Sequence, residues 1–200
     1  MHATTFHLIR HASYGLLGQA LGGRSPGHRL TEQGRRETGV LAEGLVSRPI
    51  AIVATSPLER TRETAEAIAR RLGIEVVVEP GLIEIDFGEW TGMRFDHLHD
   101  KQDWQIFNQF RSTVAPPGGE TMLAAQSRAL DAVRRLRERS PGQEIVVVSH
   151  ADIIKALLAH FLGVPLDLFQ RLEIAPASRS VLRLFEADVR VDAVNLPPGA

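Results

Sequence analysis

The sequence contains no cysteine among its 200 residues. Disulfides, thiolate nucleophiles and cysteine-ligated zinc or iron–sulfur sites are therefore excluded. It also has no run of about 20 consecutive apolar residues, the length that a membrane-spanning helix needs. The first residues, MHATTFHLIRHAS, lack the basic segment and the long apolar run of a signal peptide. We therefore expect a cytoplasmic protein that has no membrane partner.

Little net charge is present, because 23 Lys and Arg residues nearly balance 24 Asp and Glu residues. Charges of both signs are mixed along the chain, so no overall field attracts nucleic acid, and no nucleic-acid partner is expected. Any bound anion must be held by a local cluster of positive side chains. Since 44 % of the residues are hydrophobic and no long Pro/Ser/Gly stretch divides the chain, residues 1–200 are predicted to form a single domain.

Short apolar runs alternate with helical patterns along the chain. Three β-branched runs have the composition of strands covered on both faces in a parallel sheet, at 6–9, 50–54 and 144–149. Helices are predicted at about 31–48, 57–73, 119–139 and 151–162. Thr31 is expected to cap the first helix, Pro57 to start the second and Gly73 to end it. The alternation indicates βαβ crossovers, so we predict an α/β fold, a three-layer α/β/α sandwich with a mostly parallel central sheet.

Residues 86–118 are the least regular part of the sequence and are predicted to form an insertion or lid. Within them, Trp104, Phe107 and Phe110 lie three apart, which indicates a short helix with one aromatic face. We expect this face to belong to the core, with a lid over the ligand site as the alternative. Further strands are predicted at 76–79, 181–187 and 189–194, the last two at an edge of the sheet. Pairing of such edge strands across a twofold axis would give a homodimer.

Polar residues follow the carboxyl ends of the predicted core strands, which is where ligands bind in an open α/β sheet. Arg10 and His11 follow the first strand, Arg60 lies on the helix after the second, and His150 follows the third. A phosphate dianion needs several positive donors, and the planar guanidinium of arginine suits its oxygens. An imidazole among them can attack phosphorus and form a phosphohistidine. The cluster therefore predicts chemistry on a phosphate ester.

A carboxyl group is then needed to protonate the leaving alkoxide and to activate water. The segment LIEIDFGEW offers three candidates for this role: Glu84, Asp86 and Glu89. If this segment is extended, Glu84 and Asp86 share a face. The residues alone therefore leave the acid unassigned.

Five ordered motifs resemble those of the histidine phosphatase superfamily, the phosphoglycerate mutase-like proteins, over nearly the whole chain. The pairs are LIRHA with R-H-G, SPLERTRETA with S-P-L-x-R-A-x-x-T-A, LIEIDFGEWTG with L-x-E-x-x-F-G-x-W-x-G, PGGET with P-G-G-E-S, and VVVSHADII with V-V-S-H-G-x-x-I. The resemblance implies that His11 is the phosphorylated nucleophile and Glu84 the proton donor. It further implies that Arg10, Arg60 and His150 hold the phosphate oxygens, and that the enzyme uses no cofactor and no metal.

Three positions depart from the pattern of that family. Ala12 and Ala151 stand where the family has glycine, and each adds only a methyl group, which we expect to narrow the pocket. Ala151 also begins a predicted helix, whose N-terminal N–H groups are expected to bind phosphate. Leu17 stands where phosphoglycerate mutases have asparagine, which favours the phosphatase branch. The candidate substrate contacts are Ser13, Leu17, Arg24 and Trp104.

These features predict a metal-independent phosphomonoester hydrolase that acts through a phosphohistidine on a small phosphorylated metabolite. Three alternatives remain open at this stage. The first is a mutase of the phosphoglycerate type, and the second is a non-catalytic phospholigand-binding protein. The third is a metallohydrolase that uses the segment DHLHD at 96–100, for which a solvated loop is the favoured interpretation.

Overall fold

A six-stranded sheet forms the centre of the computed structural model, which describes residues 3–200. The strands are β1 (Thr4–Arg10), β2 (Ile50–Thr55), β3 (Val76–Val78), β4 (Glu144–Ser149), β5 (Arg179–Leu184) and β6 (Val189–Leu196). They are arranged in the order β3-β2-β4-β1-β5-β6. The first four strands in this order pair in parallel, whereas β5 and β6 are antiparallel to their neighbours. The predicted mostly parallel α/β fold is confirmed, with the two C-terminal strands at one edge.

Six α-helices accompany the sheet within residues 3–200. They are α1 (Glu32–Glu43), α2 (Glu59–Leu72), α3 (Phe95–Leu98), α4 (Gln102–Gln109), α5 (Met122–Arg139) and α6 (Ala151–Leu162). None of the helices in the described part of the chain is long and apolar enough to cross a bilayer.

The ends of α1 and α2 follow from individual residues. The Thr31 hydroxyl accepts a hydrogen bond from the N–H of Gly34 and caps α1, as predicted. Gly73 ends α2 in the left-handed conformation, at φ 71°. Pro57 does not start α2, because Leu58 is still extended and the helix begins only at Glu59.

Alternate residues of the central strands face two separate hydrophobic cores. On β4, Ile145 and Val147 pack with α5 and α6 on one side of the sheet, and Val146 and Val148 pack with α1 and α2 on the other. This alternation confirms the three-layer arrangement. It also buries β1, β2 and β4 on both faces, so that the polar residues at their carboxyl ends are held by rigid backbone.

Residues 86–118 contain α3, α4 and a 3-10 turn at Gly88–Trp90. Trp104 and Phe107 are buried against Trp90, with ring centroids 5.5 and 5.4 Å from it. The prediction that Phe110 shares their face is wrong, since α4 ends at Gln109 and the Phe110 side chain is 51 % exposed. The insertion is therefore attached to the core by two aromatic side chains.

The N-terminus of α1 packs directly on the loop that follows β1. Thr31 donates its N–H to the carbonyl oxygen of Ser13 at 3.0 Å, and a Cβ at Gly34 would lie 2.1 Å from that same oxygen. Because both partners are backbone, only a residue without a side chain allows this approach. The contact fixes the chain two residues after His11.

We expect Gly34→Ala to lower the free energy of unfolding by about 1–3 kcal/mol, the usual cost of forcing an extra methyl into a packed region. Gly39→Ala is a matched control on the same helix, since a Cβ there meets no atom within 4 Å. It should be neutral or stabilising by up to about 1 kcal/mol, because alanine favours helix over glycine. Urea denaturation of both variants measures the difference, and equal stabilities would contradict the packing argument.

Candidate active site

The parallel pairing of β1 with β4 brings two histidines together at the carboxyl end of the sheet. Arg10 pairs with Ser149 in register, and the N–H of His11 donates to the Ser149 carbonyl at 2.9 Å. The rings of His11 and His150 consequently meet edge to face, with centroids 5.3 Å apart. Two of the residues expected from the strand ends are thus in contact.

The hydrogen bonds of His11 define its tautomer. Its Nδ1 lies 2.9 Å from the Ala12 carbonyl oxygen, which can only accept, so Nδ1 carries the proton. Its Nε2 accepts a 3.3 Å hydrogen bond from Nε of Arg60 and therefore carries the lone pair. Burial, together with the charges of Arg60 and Arg10, holds the pKa of His11 well below its usual value. His11 is therefore a neutral imidazole, and its unprotonated Nε2 faces Arg60.

Two guanidinium groups, those of Arg10 and Arg60, line the same cavity as His11. The Arg60 side chain is 1 % exposed, and its Nη2 donates to the Gly23 carbonyl at 2.7 Å. Arg10 is half-buried and donates from Nη1 to the Ile174 carbonyl at 2.6 Å. Neither forms an ion pair with an Asp or Glu within residues 3–200. The two positive charges are therefore suited to an anion in the cavity.

His150 is completely buried and forms a hydrogen bond with Arg60. Its Nδ1 accepts a 3.2 Å hydrogen bond from Arg60 Nη2, so its Nε2 carries the proton and donates to the Ser56 hydroxyl at 2.8 Å. Burial and the charge of Arg60 hold the pKa of His150 well below its usual value. The side chain of His150 does not line the cavity, whereas the adjacent Ala151 does.

Glu84 is the carboxyl group that reaches this cluster. Its Oε2 lies 3.9 Å from Nδ1 of His150, and its Oε1 accepts from the N–H of Ile85 at 3.0 Å. Burial, reinforced by the nearby Asp152 carboxylate, raises the pKa of Glu84 to about 7. A group with this pKa can donate a proton and take one back near neutral pH.

The rival carboxylates at 86 and 89 do not reach the cluster. Asp86 accepts from the N–H of Gly88 at 2.9 Å and pairs with Arg24, whereas Glu89 is exposed to solvent. Neither side chain lines the cavity. Of the three carboxyl groups that the sequence offered, only Glu84 lines the cavity.

A cavity of about 310 Å³ lies at this cluster. Arg10, His11, Arg60, Glu84 and Ala151 line it. The rest of its wall, called the outer cavity below, includes Leu17, Phe87, Phe95, His99, Trp104, Asn108, Arg111, Asp152 and Gln170. The first set can hold a phosphate group, and the outer cavity can hold a leaving group of modest size. Leu17 and Trp104 line the cavity, as expected of substrate contacts.

The predicted substrate contacts of Ser13 and Arg24 are wrong, because both side chains are bonded to carboxylates of the protein. Ser13 donates its N–H and its hydroxyl to Glu37, at 2.9 and 2.8 Å, and does not line the cavity. Arg24 donates to the Glu84 carbonyl oxygen at 2.8 Å and forms ion pairs with Asp86 and Glu120. Arg24 thus fixes the main chain at Glu84 and does not line the cavity.

The expectation that Ala12 narrows the pocket is also wrong. Its methyl group packs in a small buried cluster with Leu30 and Ala177, away from the cavity. Its N–H donates to the Thr64 hydroxyl at 3.2 Å. Of the two positions where the related family has glycine, only Ala151 lies on the cavity wall.

An ion pair that the sequence did not predict also lines the cavity. Arg111 Nη1 donates to Asp152 Oδ2 at 2.8 Å, and Arg111 Nη2 donates to Asn108 Oδ1 at 2.7 Å. Asp152 could have been found, since it lies in the first turn of the helix that follows His150. Arg111 gave no signal, because it lies after the short helix in the irregular segment.

The segment at 96–100 does not form a metal centre. Asp96 pairs with Arg94 at 3.0 Å, and His97 and His99 are exposed. No three His, Asp or Glu side chains anywhere in residues 3–200 converge as metal ligands would. The favoured interpretation of this segment as a solvated loop is wrong in part, because residues 96–98 belong to α3 and Leu98 is buried.

Comparison with known proteins identifies the family of this chain and several relatives. A family model described as the histidine phosphatase superfamily (branch 1) matches residues 6–197. Phosphoserine phosphatase 1 of Hydrogenobacter thermophilus is 32 % identical over 183 residues, which cover 90 % of this chain and 86 % of that protein. A bifunctional protein of Mycobacterium tuberculosis is 35 % identical over 191 residues, which cover 91 % of this chain and 50 % of that protein. The chain therefore spans about half of that relative.

The fold is shared with solved structures as well. A mycobacterial glucosyl-3-phosphoglycerate phosphatase superimposes with a TM-score of 0.87 at 26 % identity. The alignment covers 97 % of this chain and 99 % of that one.

Proposed function

Because the chain belongs to the histidine phosphatase superfamily and is a phosphomonoesterase of small phosphorylated metabolites, we propose that it works through a phosphohistidine at His11 without a metal ion. The observation that carries this proposal is the unprotonated Nε2 of a neutral His11, in a cavity lined by two arginines that form no ion pair within residues 3–200. The lone pair supplies the nucleophile, and the arginines supply the charge that a phosphate dianion requires.

In the first step, Nε2 of His11 attacks phosphorus and the bond to the leaving oxygen breaks. Glu84 gives its proton to that oxygen, so an alcohol leaves instead of an alkoxide. In the structure, Nε of Arg60 donates to Nε2 of His11. When this Nε2 forms its bond to phosphorus, Nε of Arg60 donates to a phosphate oxygen instead. Arg10 and the N–H of Ala151 hold the other oxygens.

In the second step, the Glu84 carboxylate takes a proton from water, and the resulting nucleophile attacks phosphorus. The bond from phosphorus to Nε2 breaks, phosphate leaves, and His11 returns to its neutral state. Glu84 therefore finishes the cycle protonated, as it began. Its pKa of about 7 suits both directions of transfer.

His150 supports the phosphate site through Arg60. The His150 side chain does not line the cavity, its Nδ1 accepts from Nη2 of Arg60, and its Nε2 donates to the Ser56 hydroxyl. His150 thus fixes the guanidinium that binds the phosphate, and this indirect role replaces the predicted direct contact of His150 with a phosphate oxygen.

We expect the purified protein to release phosphate from p-nitrophenyl phosphate at the same rate with and without EDTA, because no step requires a metal ion. Loss of activity in EDTA would favour the metallohydrolase, and no release in either condition would favour a phospholigand-binding protein. Incubation with 2,3-bisphosphoglycerate and 3-phosphoglycerate tests the mutase alternative. Phosphate release without isomerisation is expected, and isomerisation exceeding release would contradict the hydrolase.

A further inference from the structure

The cavity contains a buried ion pair, Arg111 with Asp152, that forms no hydrogen bond with His11, Glu84, Arg10 or Arg60 within residues 3–200. The Arg111 side chain is 4 % exposed, and its guanidinium lies 4.6 Å from the ring of Phe107 and 5.2 Å from that of Phe169. Asp152 offsets its charge at 2.8 Å. Arg111 Nε has no hydrogen-bond partner within residues 3–200, so this arginine keeps one unused donor but no uncompensated charge.

The charges that line the cavity balance once a phosphate dianion is bound. Arg10 and Arg60 offset its two negative charges, and Asp152 offsets Arg111. A further negative charge on the leaving group would find no buried cation left on the cavity wall within residues 3–200. His99, the remaining basic side chain of the wall, is exposed to solvent at the rim, where screening weakens its attraction.

Asp152 also presents an acceptor to the leaving group. Its Oδ2 is taken by Arg111, whereas its Oδ1 has no hydrogen-bond partner within residues 3–200. The side chain is 16 % exposed and lines the cavity. A hydroxyl group can donate to this oxygen, but a carboxylate would be repelled by it.

Aromatic side chains form another part of the wall. Phe87, Phe95 and Trp104 line the cavity and offer apolar surface to C–H groups. Gln170 adds an amide to the wall. A leaving group that carries both C–H surface and hydroxyl groups, such as a polyol or a sugar, matches these two kinds of contact.

We propose that the leaving group of the substrate is an uncharged polyol or sugar, and that Asp152 is the residue that discriminates against phosphomonoesters bearing a carboxylate. This inference rests on the proposed phosphomonoesterase activity and identifies the substrate class of the same site. Discrimination arises from repulsion at Oδ1 and from the absence of a spare buried cation, and not from size.

Glycerol 3-phosphate and 3-phosphoglycerate form a matched pair for the test, because a hydroxymethyl group in one replaces a carboxylate in the other. Each is measured as a competitor of p-nitrophenyl phosphate hydrolysis, which yields an inhibition constant whether or not the competitor is turned over. We expect glycerol 3-phosphate to bind about tenfold more tightly or better. Attraction by the arginines alone would favour the more negative compound, so equal constants or the reverse order would overturn the proposal.

The variant Asp152→Asn removes the repulsion and leaves Arg111 without its counter-charge. The ratio of the two inhibition constants should then fall to about one or reverse. Because both constants are measured on one variant, changes in chemistry or in the folded fraction cancel in the ratio. Asp131→Asn makes the same chemical change at an exposed position of α5 and should leave the ratio as in the unmodified protein. An unchanged ratio in Asp152→Asn would overturn the role of Asp152.

Failure of the phosphatase activity itself would be recognised separately. If the unmodified protein releases no p-nitrophenolate, the proposed reaction is wrong, and the affinities of the two compounds are then compared by titration calorimetry. Preference for glycerol 3-phosphate in that experiment would support the discrimination by Asp152 without the reaction. Equal affinities would overturn both proposals.

Discussion

Replacing His11 with alanine will lower kcat/KM for phosphate release by about 10⁴-fold or more, as removal of a covalent nucleophile does in other enzymes. The loss is expected because His11 lines the cavity and presents an unprotonated Nε2 next to Arg60. His150 cannot replace it, since its side chain does not line the cavity. Initial rates with p-nitrophenyl phosphate measure the effect.

Trapping of the phosphoenzyme distinguishes a nucleophile from a binding residue. Unmodified protein quenched in alkali after mixing with radiolabelled substrate should retain label, which acid should release, because a phosphoramidate is acid-labile and alkali-stable. The His11→Ala protein should retain none. Label in this variant, or an alkali-labile link in the unmodified protein, would contradict the proposed intermediate.

A second buried histidine, on the strand that ends just before His11, provides the control. His7 lies four residues before His11, about 13 Å away along an extended strand, and its Nε2 is 2.8 Å from a Glu144 carboxylate oxygen. Any loss of activity in His7→Ala should follow the loss of folded protein, measured by thermal unfolding. The activity per folded molecule should stay close to that of the unmodified protein.

The catalytic cluster could be predicted from the sequence because its members follow buried strands. In a parallel sheet the carboxyl ends of β1, β2 and β4 share one edge, so residues far apart in sequence meet there. His11 and His150 illustrate this: the runs before them mark two strands, and the register of those strands places the rings in contact.

The outer cavity could not be predicted in the same way. Its residues come from loops and short helices, where the partner of a charged side chain depends on tertiary packing and not on periodicity. Arg24 illustrates this: its position in a Gly-rich loop indicated a substrate contact, but the carboxylates of Asp86 and Glu120 neutralise it. Arg111 is the opposite case, because it belongs to no motif. Only the fold shows that it is buried between aromatic rings and paired with Asp152.

Burial acts on the proposed nucleophile and on the proposed acid together. Removal from water disfavours the charged form of either group, which lowers the pKa of His11 and raises that of Glu84. The arginines lower both pKa values, and Asp152 counteracts them at Glu84. Up to a pH of about 7 the site therefore holds an unprotonated imidazole nitrogen together with a substantial fraction of protonated Glu84, as the first step of the proposed reaction requires.

The variant Glu84→Gln should separate substrates by the basicity of their leaving groups. With an alkyl phosphate, kcat/KM should fall by about 10²- to 10⁴-fold, because a strongly basic alkoxide must leave without a proton. With p-nitrophenyl phosphate, whose leaving group is stable as an anion, kcat/KM should change little. Its kcat should fall, since water attack on the phosphohistidine has lost its base, and a burst of p-nitrophenolate equal to the enzyme concentration should appear.

The pH dependence gives a second measure of the same role. Glu84 must be protonated to act as the acid, and its pKa is raised to about 7. For an alkyl phosphate, kcat/KM should therefore fall about tenfold per pH unit above that value as the proton is lost. In Glu84→Gln this alkaline decline should be absent, because glutamine does not titrate.

Glu89→Gln is the matched control, since the same substitution five residues later falls on an exposed side chain outside the cavity. It should keep the alkaline decline, show no burst and reduce kcat/KM for neither substrate. Equal losses on the alkyl and aryl substrates in Glu84→Gln would contradict a proton donor, because only proton donation depends on the basicity of the leaving oxygen. That outcome would instead assign Glu84 to the support of Arg60 and His150, whose positions both substrates need alike.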